Sequence, residues 1–583
     1  MRHCALFGAL FVAWIVGPVA AAEMRSPRIT FTTVDWNAVQ SSLAALDELR
    51  LDPTDESAGN EIVRLNTATF ERFPDISNST VPVLLPFDTA AFLRNHAAGL
   101  DAGKPNEAYL GGFHATKFFL PGAAGYDAAF SVRSGDVAQL ADLHFADPAE
   151  IAISGSALLY ELDGALADAG TPVPELEVQF PGIRRRLVES HVHYTFVRFG
   201  VPYVVSLLCF DGGARAHELS CRQADRVAVR FLQTLSVVGG MPRAHATVKT
   251  PSTVERPRTT SVDFTYFGPG QIIAGTGVRG NAGRVDYTVY AKIRFPLATA
   301  PAYANSQSFM NWGDCDHTGR IPAGVSTKDA PYHCRVNEQP LVFDEAKNFA
   351  YPWRDNFCEH RWFNVSQCPA GEGHQGQDIR PGDCQLRNDG ADRCNAYLHD
   401  VVAARDGMVL RIPKQESVAL YVNAPDAHLR IRYLHMNPKT LDQDDVVSGR
   451  VFREGEVIGK VGNYDHRENG TTYHLHMDLQ VPTRDGWVYV NPYATLVTAY
   501  ERLIGGRGTE LKDEPLPAPA QESVKRDEGE TSLAGQKLAA AQPMSRIDGE
   551  TTHVRPHTLR HGPRTRASAH AHHAHCIRRC GRG

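Results

Sequence analysis

The sequence predicts a multidomain chain: a mixed α+β N-terminal domain, then a mainly antiparallel β domain, then a disordered C-terminal tail. Three observations carry this. Its 583 residues are several times the roughly 150 that one domain occupies. Between 397 and 497, short apolar runs separated by Gly, Pro, Asn and Asp have the spacing of successive antiparallel strands. From about Gly505 the aromatics vanish and Pro, Glu, Lys, Ala, Arg and His dominate, which leaves too little apolar surface for a core.

Composition excludes some classes. With 43% hydrophobic and 22% charged residues the chain is ordinary globular protein, and a formal net charge of -6 gives no global case for a nucleic-acid or anionic-membrane partner.

Taken in order, residues 1–22 read as a signal peptide. Arg2 and His3 precede an apolar run from Ala5 to Val19, and Ala20-Ala21-Ala22 offers cleavage after Ala22. That run is shorter than the roughly 20 residues a spanning helix needs, and no later stretch reaches that length. The expectation is an exported chain, periplasmic or extracellular, with no transmembrane segment after cleavage. Cysteine usage agrees. Of 11 cysteines, Cys4 lies in the leader, and the rest fall as close neighbours: Cys209 and Cys221, Cys315 and Cys334, Cys358 and Cys368, Cys384 and Cys394, Cys576 and Cys580. No Cys-x-x-Cys occurs, so disulfides are expected rather than a cysteine zinc site, with connectivity left open.

Residues 23–240 read as the α+β domain. Trp36, Val39, Leu43, Leu46 and Leu49 follow Asp35 at helical spacing. His191–Phe199 and Val201–Leu208 alternate as strands with Gly200 between them, and Ser220 is placed to cap a helix through Ala224, Val227, Ala228, Phe231 and Leu235. His217-Glu218 lacks the second histidine of a zinc helix, and His191-Val192-His193 lacks a third ligand, so both read as structural.

Residues 241–262, rich in Pro, Thr, Ser, Arg and Lys, read as a linker. Gly275-Thr276-Gly277-Val278-Arg279-Gly280 spells a dinucleotide fingerprint, but the alternating Arg284–Ile293 that follows is a strand pattern, and no helix N-terminus is there to receive phosphate. Residues 298–370 are punctuated by Pro, Cys and aromatics (Trp312, Tyr332, Tyr351, Trp353, Phe357, Trp362, Phe363) and read as cystine-stapled loops. Strands are expected at Val401–Val409, Val418–Val422, Leu429–Leu434, Val457–Val461, His474–Val481 and Trp487–Val490.

The chemistry concentrates in two motifs. In an extended strand His474, His476 and Asp478 project to one face, with Leu475, Met477 and Leu479 on the other. About a hundred residues upstream, His374 and Asp378 stand four apart among Gly371, Gly373 and Gly376. Nitrogen and oxygen donors of this kind suit zinc.

These motifs, with Arg432-Tyr433-Leu434-His435, Val401–Val409 and Gly455-Glu456-Val457-Ile458-Gly459-Lys460-Val461-Gly462 between them, resemble the lysostaphin/LytM-type zinc endopeptidase family. Its pattern is His-x-x-x-Asp, Val-x-Ala-x-x-x-Gly-x-Val, Tyr-x-His, a glycine turn and His-x-His. The match is strongest over 370–495, within a β-rich domain expected at 263–504. The resemblance implies one Zn2+ held by His374, Asp378 and His476, unliganded catalytic histidines His435 and His474, and peptidoglycan as the polymer whose peptide bonds are cut. Insertions holding Cys384 and Cys394, and Asp465–Thr472, depart from the family pattern. Two other classes fit the motifs: a non-catalytic regulator of another wall hydrolase, and a zinc-handling protein. The N-terminal domain would bind wall or a protein partner, or cover the groove. In the 505–583 tail, His570, His572, His573 and His575 with Cys576 are dense enough for weak metal binding, though a solvated basic tail explains them as well.

Overall fold

The computed structural model describes residues 23–46, 60–162, 170–188, 191–209, 219–243, 248–271, 285–305, 348–359, 363, 365–369, 371, 373–382 and 396–511, with backbone alone at 314–316, 333–336 and 339–340. The leader, Leu49, His217-Glu218, Gly275–Gly280, Trp312, Tyr332, Trp362, the Cys384/Cys394 and Cys576/Cys580 pairs and the histidine-rich tail lie outside these residues. Within them the chain is mostly antiparallel β with a few helices and several sheets.

The N-terminal half is built on a seven-stranded sheet in the order His114–Gly122, Gly125–Val132, Ala149–Ser156, Val201–Leu208, His191–Arg198, Arg184–Val188, Thr171–Pro172. The hairpin expected at Gly200 forms, with Phe199 and Gly200 both at positive φ as a tight two-residue turn requires. Asp35 caps the helix Trp36–Ala44 by accepting from the Ala38 N–H, and Val39 and Leu43 are buried on its inner face. Ser220 and Gln223 make a capping box for the helix Cys221–Gln233, whose Ala224, Val227, Ala228, Phe231 and Leu232 enter the core. The Cys209–Cys221 disulfide ties that helix to the end of the last strand.

The second sheet has eight strands. The order is Ala302–Ala304, Gly376–Pro381, Leu475–Thr483, Ala427–Leu434, Val418–Ala424, Gly407–Leu410, Val451–Phe452, with Gly486–Val490 also paired to Leu475–Thr483. On the central strand Leu475, Met477, Leu479 and Val481 are wholly buried in the second core, while His476 and Asp478 face the opposite side.

Each half has its own core, yet residues 1–517 form one compact unit. Polar contacts join the sheets. His428, itself fully buried, meets Ser156 Oγ through Nδ1 and Asp127 Oδ2 through Nε2, both at 2.8 Å. Arg430 donates to Ser154 Oγ and lies 4.0 Å over the Trp487 ring, whose N–H also donates to Ser154. Ser156, His428 and Asp127 have the residue types of a hydrolytic triad, but all three are buried and Ser156 Oγ also donates to the Leu158 carbonyl, so they act as a structural tie.

Several expectations are corrected. The strand expected at Val401–Val409 is two: Asp400–Val402 pairs with Val457–Lys460, and Gly407–Leu410 with Val418–Ala424. Between them Ala403 and Ala404 turn their N–H groups to the Glu456 carbonyl and the Tyr433 hydroxyl. The described part of Arg284–Ile293 is no strand; it borders the chain start, where Arg25 and residues 287–289 exchange backbone bonds. The linker is held in place: Val248–Lys249 pairs with Arg28–Phe31, and Arg256 forms a two-pronged pair with the buried Glu501. Thr260–Phe267 runs parallel to Arg507–Leu511, so the first residues assigned to the disordered tail are an ordered strand. Four of the described α-helices were not foreseen, Glu61–Thr69 and Thr89–Ala97 in the N-terminal half among them. In the second half, Tyr493–Ile504 is buried from Tyr493 to Glu501, and Pro438–Gln443 is a short loop helix capped by Asn437.

Replacing His428 with Ala strands Asp127 and Ser156 in a dry interface. The expected cost is about 3 kcal/mol, read as a lower urea-unfolding midpoint; an unchanged midpoint would contradict the tie.

Candidate metal centre

Sheet register builds this centre. Asp378 lies directly across from His476, and Leu434, on the other flank of His476, delivers His435 to the same end of the sheet. His435 takes φ +70°, a conformation that turns its ring back over the strand end. Gly462 lets the next loop close there: a Cβ on it would lie 2.4 Å from the His435 carbonyl oxygen. Gly376 has a parallel role, since a Cβ there would come within 2.8 Å of His476 Nε2 and 2.4 Å of the Met477 carbonyl.

All five motif residues come together. His374 Nε2 is 2.9 Å from His476 Nδ1 and 3.4 Å from Asp378 Oδ1, and His476 Nδ1 is 3.2 Å from that oxygen. His474 Nε2 also lies 3.4 Å from Asp378 Oδ1, and the His435 and His474 rings are 4.6 Å apart. His374, Asp378, His474 and His476 are buried; His435 is half-buried.

The tautomers follow from carbonyl partners. His374 Nδ1–H donates to the Asn356 carbonyl at 2.8 Å, His435 Nδ1–H to Tyr464 at 2.8 Å and His474 Nδ1–H to Thr472 at 2.7 Å. Each therefore presents an Nε2 lone pair. Burial pushes the Asp378 carboxyl up, but the positive charge carried by the surrounding histidine cluster, His374 and His474 first and His476 through its hydrogen bond, outweighs it and holds Asp378 well below the usual range. Burial lowers His476, yet the Asp378 and Asp478 carboxylates outweigh it and raise it to about 9. Burial, helped by His476, pushes His435 down to about 4; burial also takes His474 well below its ordinary value.

The residues fit a cation. His374 Nε2 and Asp378 Oδ1 both lie within 3.2 Å of His476 Nδ1, and Asp378 Oδ2 and His474 Nε2 are buried nearby without a hydrogen-bond partner. Separations of 2.9, 3.2 and 3.4 Å among His374, His476 and Asp378 are near the ~3.4 Å between ligands of a tetrahedral ion with ~2.1 Å bonds. A proton on His476 Nδ1 would serve as the cation when no metal is bound.

Sequence reasoning missed the outer supports. Asp478 Oδ2 stands 3.4 Å behind His476 Nε2 and is held by Arg432 Nε at 2.6 Å. Strand alternation had placed Asp478 on that face without giving it work. The carbonyls of Asn356, Tyr464 and Thr472 carry no sequence signal. His191 and His193 join no metal-type cluster among the described residues, and the remaining such group, Glu416, Asp465 and His466, is largely open to solvent.

No protein-family model matches the chain, and no curated protein matches it. Among solved structures it is similar to a Ruminococcus gnavus protein provisionally named glycyl-glycine endopeptidase LytM, at 21% identity over 24% of this chain and with a TM-score of 0.17. The chain spans 50% of that structure's length. A likeness this partial carries no weight for fold or function.

Two outcomes are expected. Because metal must displace the His476 proton, zinc affinity should rise about tenfold per pH unit up to about pH 9 and then level off. Calorimetry in buffers of different ionisation enthalpy should find about one proton released per zinc at pH 7; none would contradict the assignment. Gly376→Ala should drive a methyl against His476 and weaken zinc binding by at least about tenfold, read by competition with a chromogenic chelator.

Proposed function

We propose that the chain is a zinc-dependent endopeptidase that hydrolyses peptide bonds in peptidoglycan, in cross-links or stem peptides. The carrying observation is that His374, Asp378 and His476 converge within 4.8 Å of one another beside two neutral histidines that are tied back through Nδ1. Peptidoglycan as substrate rests on the sequence resemblance. Export rests on the leader pattern and agrees with the two disulfides in the described residues, Cys209–Cys221 and Cys358–Cys368. No described helix is long and apolar enough to cross a membrane.

In this reading His374 Nε2, an Asp378 oxygen and His476 Nδ1 hold the ion. Bound zinc supplies Lewis acidity, bringing the pKa of water from about 16 toward about 7 and polarising a carbonyl. The chain's own residues do the rest. Asp478 and Arg432 keep His476 turned so that Nδ1 faces Asp378. His435, with its pKa near 4, is neutral at pH 7 and offers Nε2 as a proton acceptor on the half-exposed side. His474 offers a second neutral Nε2 over Asp378. The proton that His435 takes from the attacking water is the one passed on, directly or through His474 beside it, to the departing amine, and while held on this histidine pair it offsets the charge of the anionic tetrahedral centre. Burial keeps bulk water from screening these charges.

Asp378→Ala should lose both zinc and activity, whereas His474→Ala should keep zinc and lose about 10²–10⁴-fold in kcat. Metal analysis of both purified variants beside a peptide-release assay makes the check. Full zinc occupancy in Asp378→Ala would overturn the ligand set.

A further inference from the structure

The Cys358–Cys368 disulfide closes its loop against the back of His374. Cys358 N–H donates to the His374 carbonyl at 2.8 Å, and His374 N–H donates to the Glu359 carbonyl at 2.7 Å. The side chain is tied to the same segment, since its Nδ1–H goes to Asn356. Residues 356–359 thus make three hydrogen bonds to His374, two to its main chain and one to its ring. The backbones are in contact as well, because a Cβ on Gly373 would lie 2.8 Å from Cys358 Cα.

Asn356 is anchored by its own groups, to the Asn305 carbonyl, the Asp378 N–H and the Gln377 side chain; what holds Cys358 and Glu359 beside it is the cross-link and its small core. Cys358 sits at φ +66°, an unfavourable conformation for a residue with a side chain, with no helix or strand around it. Its sulfur is buried with Phe357, Val365, Cys368 and Tyr489, and Val188 of the N-terminal domain packs on the same cluster. The far side of the loop is made of turns: Cys368 N–H to Val365, Gly371 N–H to Cys368, and Val365 N–H back to Gly371. Among the described residues, no helix or strand includes Cys358 or Glu359.

We infer that the Cys358–Cys368 disulfide is a positioning element for His374, and that full metal affinity requires this bond. The inference rests on the metal-centre reading given above. Reduction would loosen the Cys358 and Glu359 backbone contacts that hold the His374 main chain and let its imidazole shift relative to Asp378 and His476. The site would then be complete only where disulfides persist.

The Cys209–Cys221 bond supplies an internal control. Its sequence separation is 12 against 10, and it belongs to the other core. Full-length Cys358→Ala/Cys368→Ala and Cys209→Ala/Cys221→Ala proteins would be compared with wild type for thermal midpoint, zinc dissociation constant by chelator competition, and kcat and KM. Alanine leaves no thiolate to bind zinc. The first double variant should bind zinc roughly 10- to 100-fold more weakly, with activity restored by excess zinc and KM at saturating zinc unchanged; the control should stay within about twofold. Equal zinc affinity in all three, or equal weakening in both variants, overturns the inference. Wild-type protein that binds no zinc overturns the metal reading itself. Should the first variant fail to fold, wild-type holoprotein is titrated with a phosphine reductant while thiol alkylation is mapped by mass spectrometry. Zinc release should then track alkylation of Cys358 and Cys368; release that tracks Cys209 and Cys221 would count against it.

Discussion

The rest of the centre depends on one electrostatic constraint: a buried carboxylate, Asp378, surrounded by imidazoles whose protons point away from it. His374 and His474 spend their Nδ1 protons on backbone carbonyls, so both turn lone pairs toward Asp378 Oδ1 at 3.4 Å. Such an arrangement, with little water to screen it, is costly unless a positive charge occupies the middle. A proton on His476 can supply that charge, and so can a divalent ion. Strand register, the two close-approach glycines and the Arg432–Asp478 pair behind His476 all maintain this geometry.

Much of this was legible because β-strand chemistry has a short period. Alternation along 474–479 places His476 and Asp478 on one face, and the apolar partners Leu475, Met477 and Leu479 fill the core as expected. Likewise Asp35, Ser220 and Gly200 punctuate helix starts and a hairpin where they were expected to. Contacts made by backbone carbonyls were not legible, since any residue type can supply one. The tie at His428 was also invisible, because it depends on two strands some 270 to 300 residues away in sequence. The helix Tyr493–Ile504 was missed for a different reason: its polar residues Thr495, Thr498 and Glu501 are buried along with the apolar ones, so burial there does not follow the polar pattern.

The N-terminal half is bound to the second sheet more firmly than a linker-joined module would be. His428, Arg430 and Trp487 meet Asp127, Ser154 and Ser156 in a dry, hydrogen-bonded seam. Arg256 and Glu501 fasten the segment between the halves to the helix Tyr493–Ile504. These contacts favour a fixed support beside the sheet that carries the metal centre over a freely swinging binding domain.

The central claim is hydrolysis of a peptide bond at the His374–Asp378–His476 centre. The most direct test is digestion of purified peptidoglycan by the oxidised full-length protein, with mass spectrometry of the soluble fragments and a matched sample stripped by chelator. The account predicts new peptide termini that vanish on stripping and return with added zinc. Intact peptides in the presence of a fully zinc-loaded protein would contradict it.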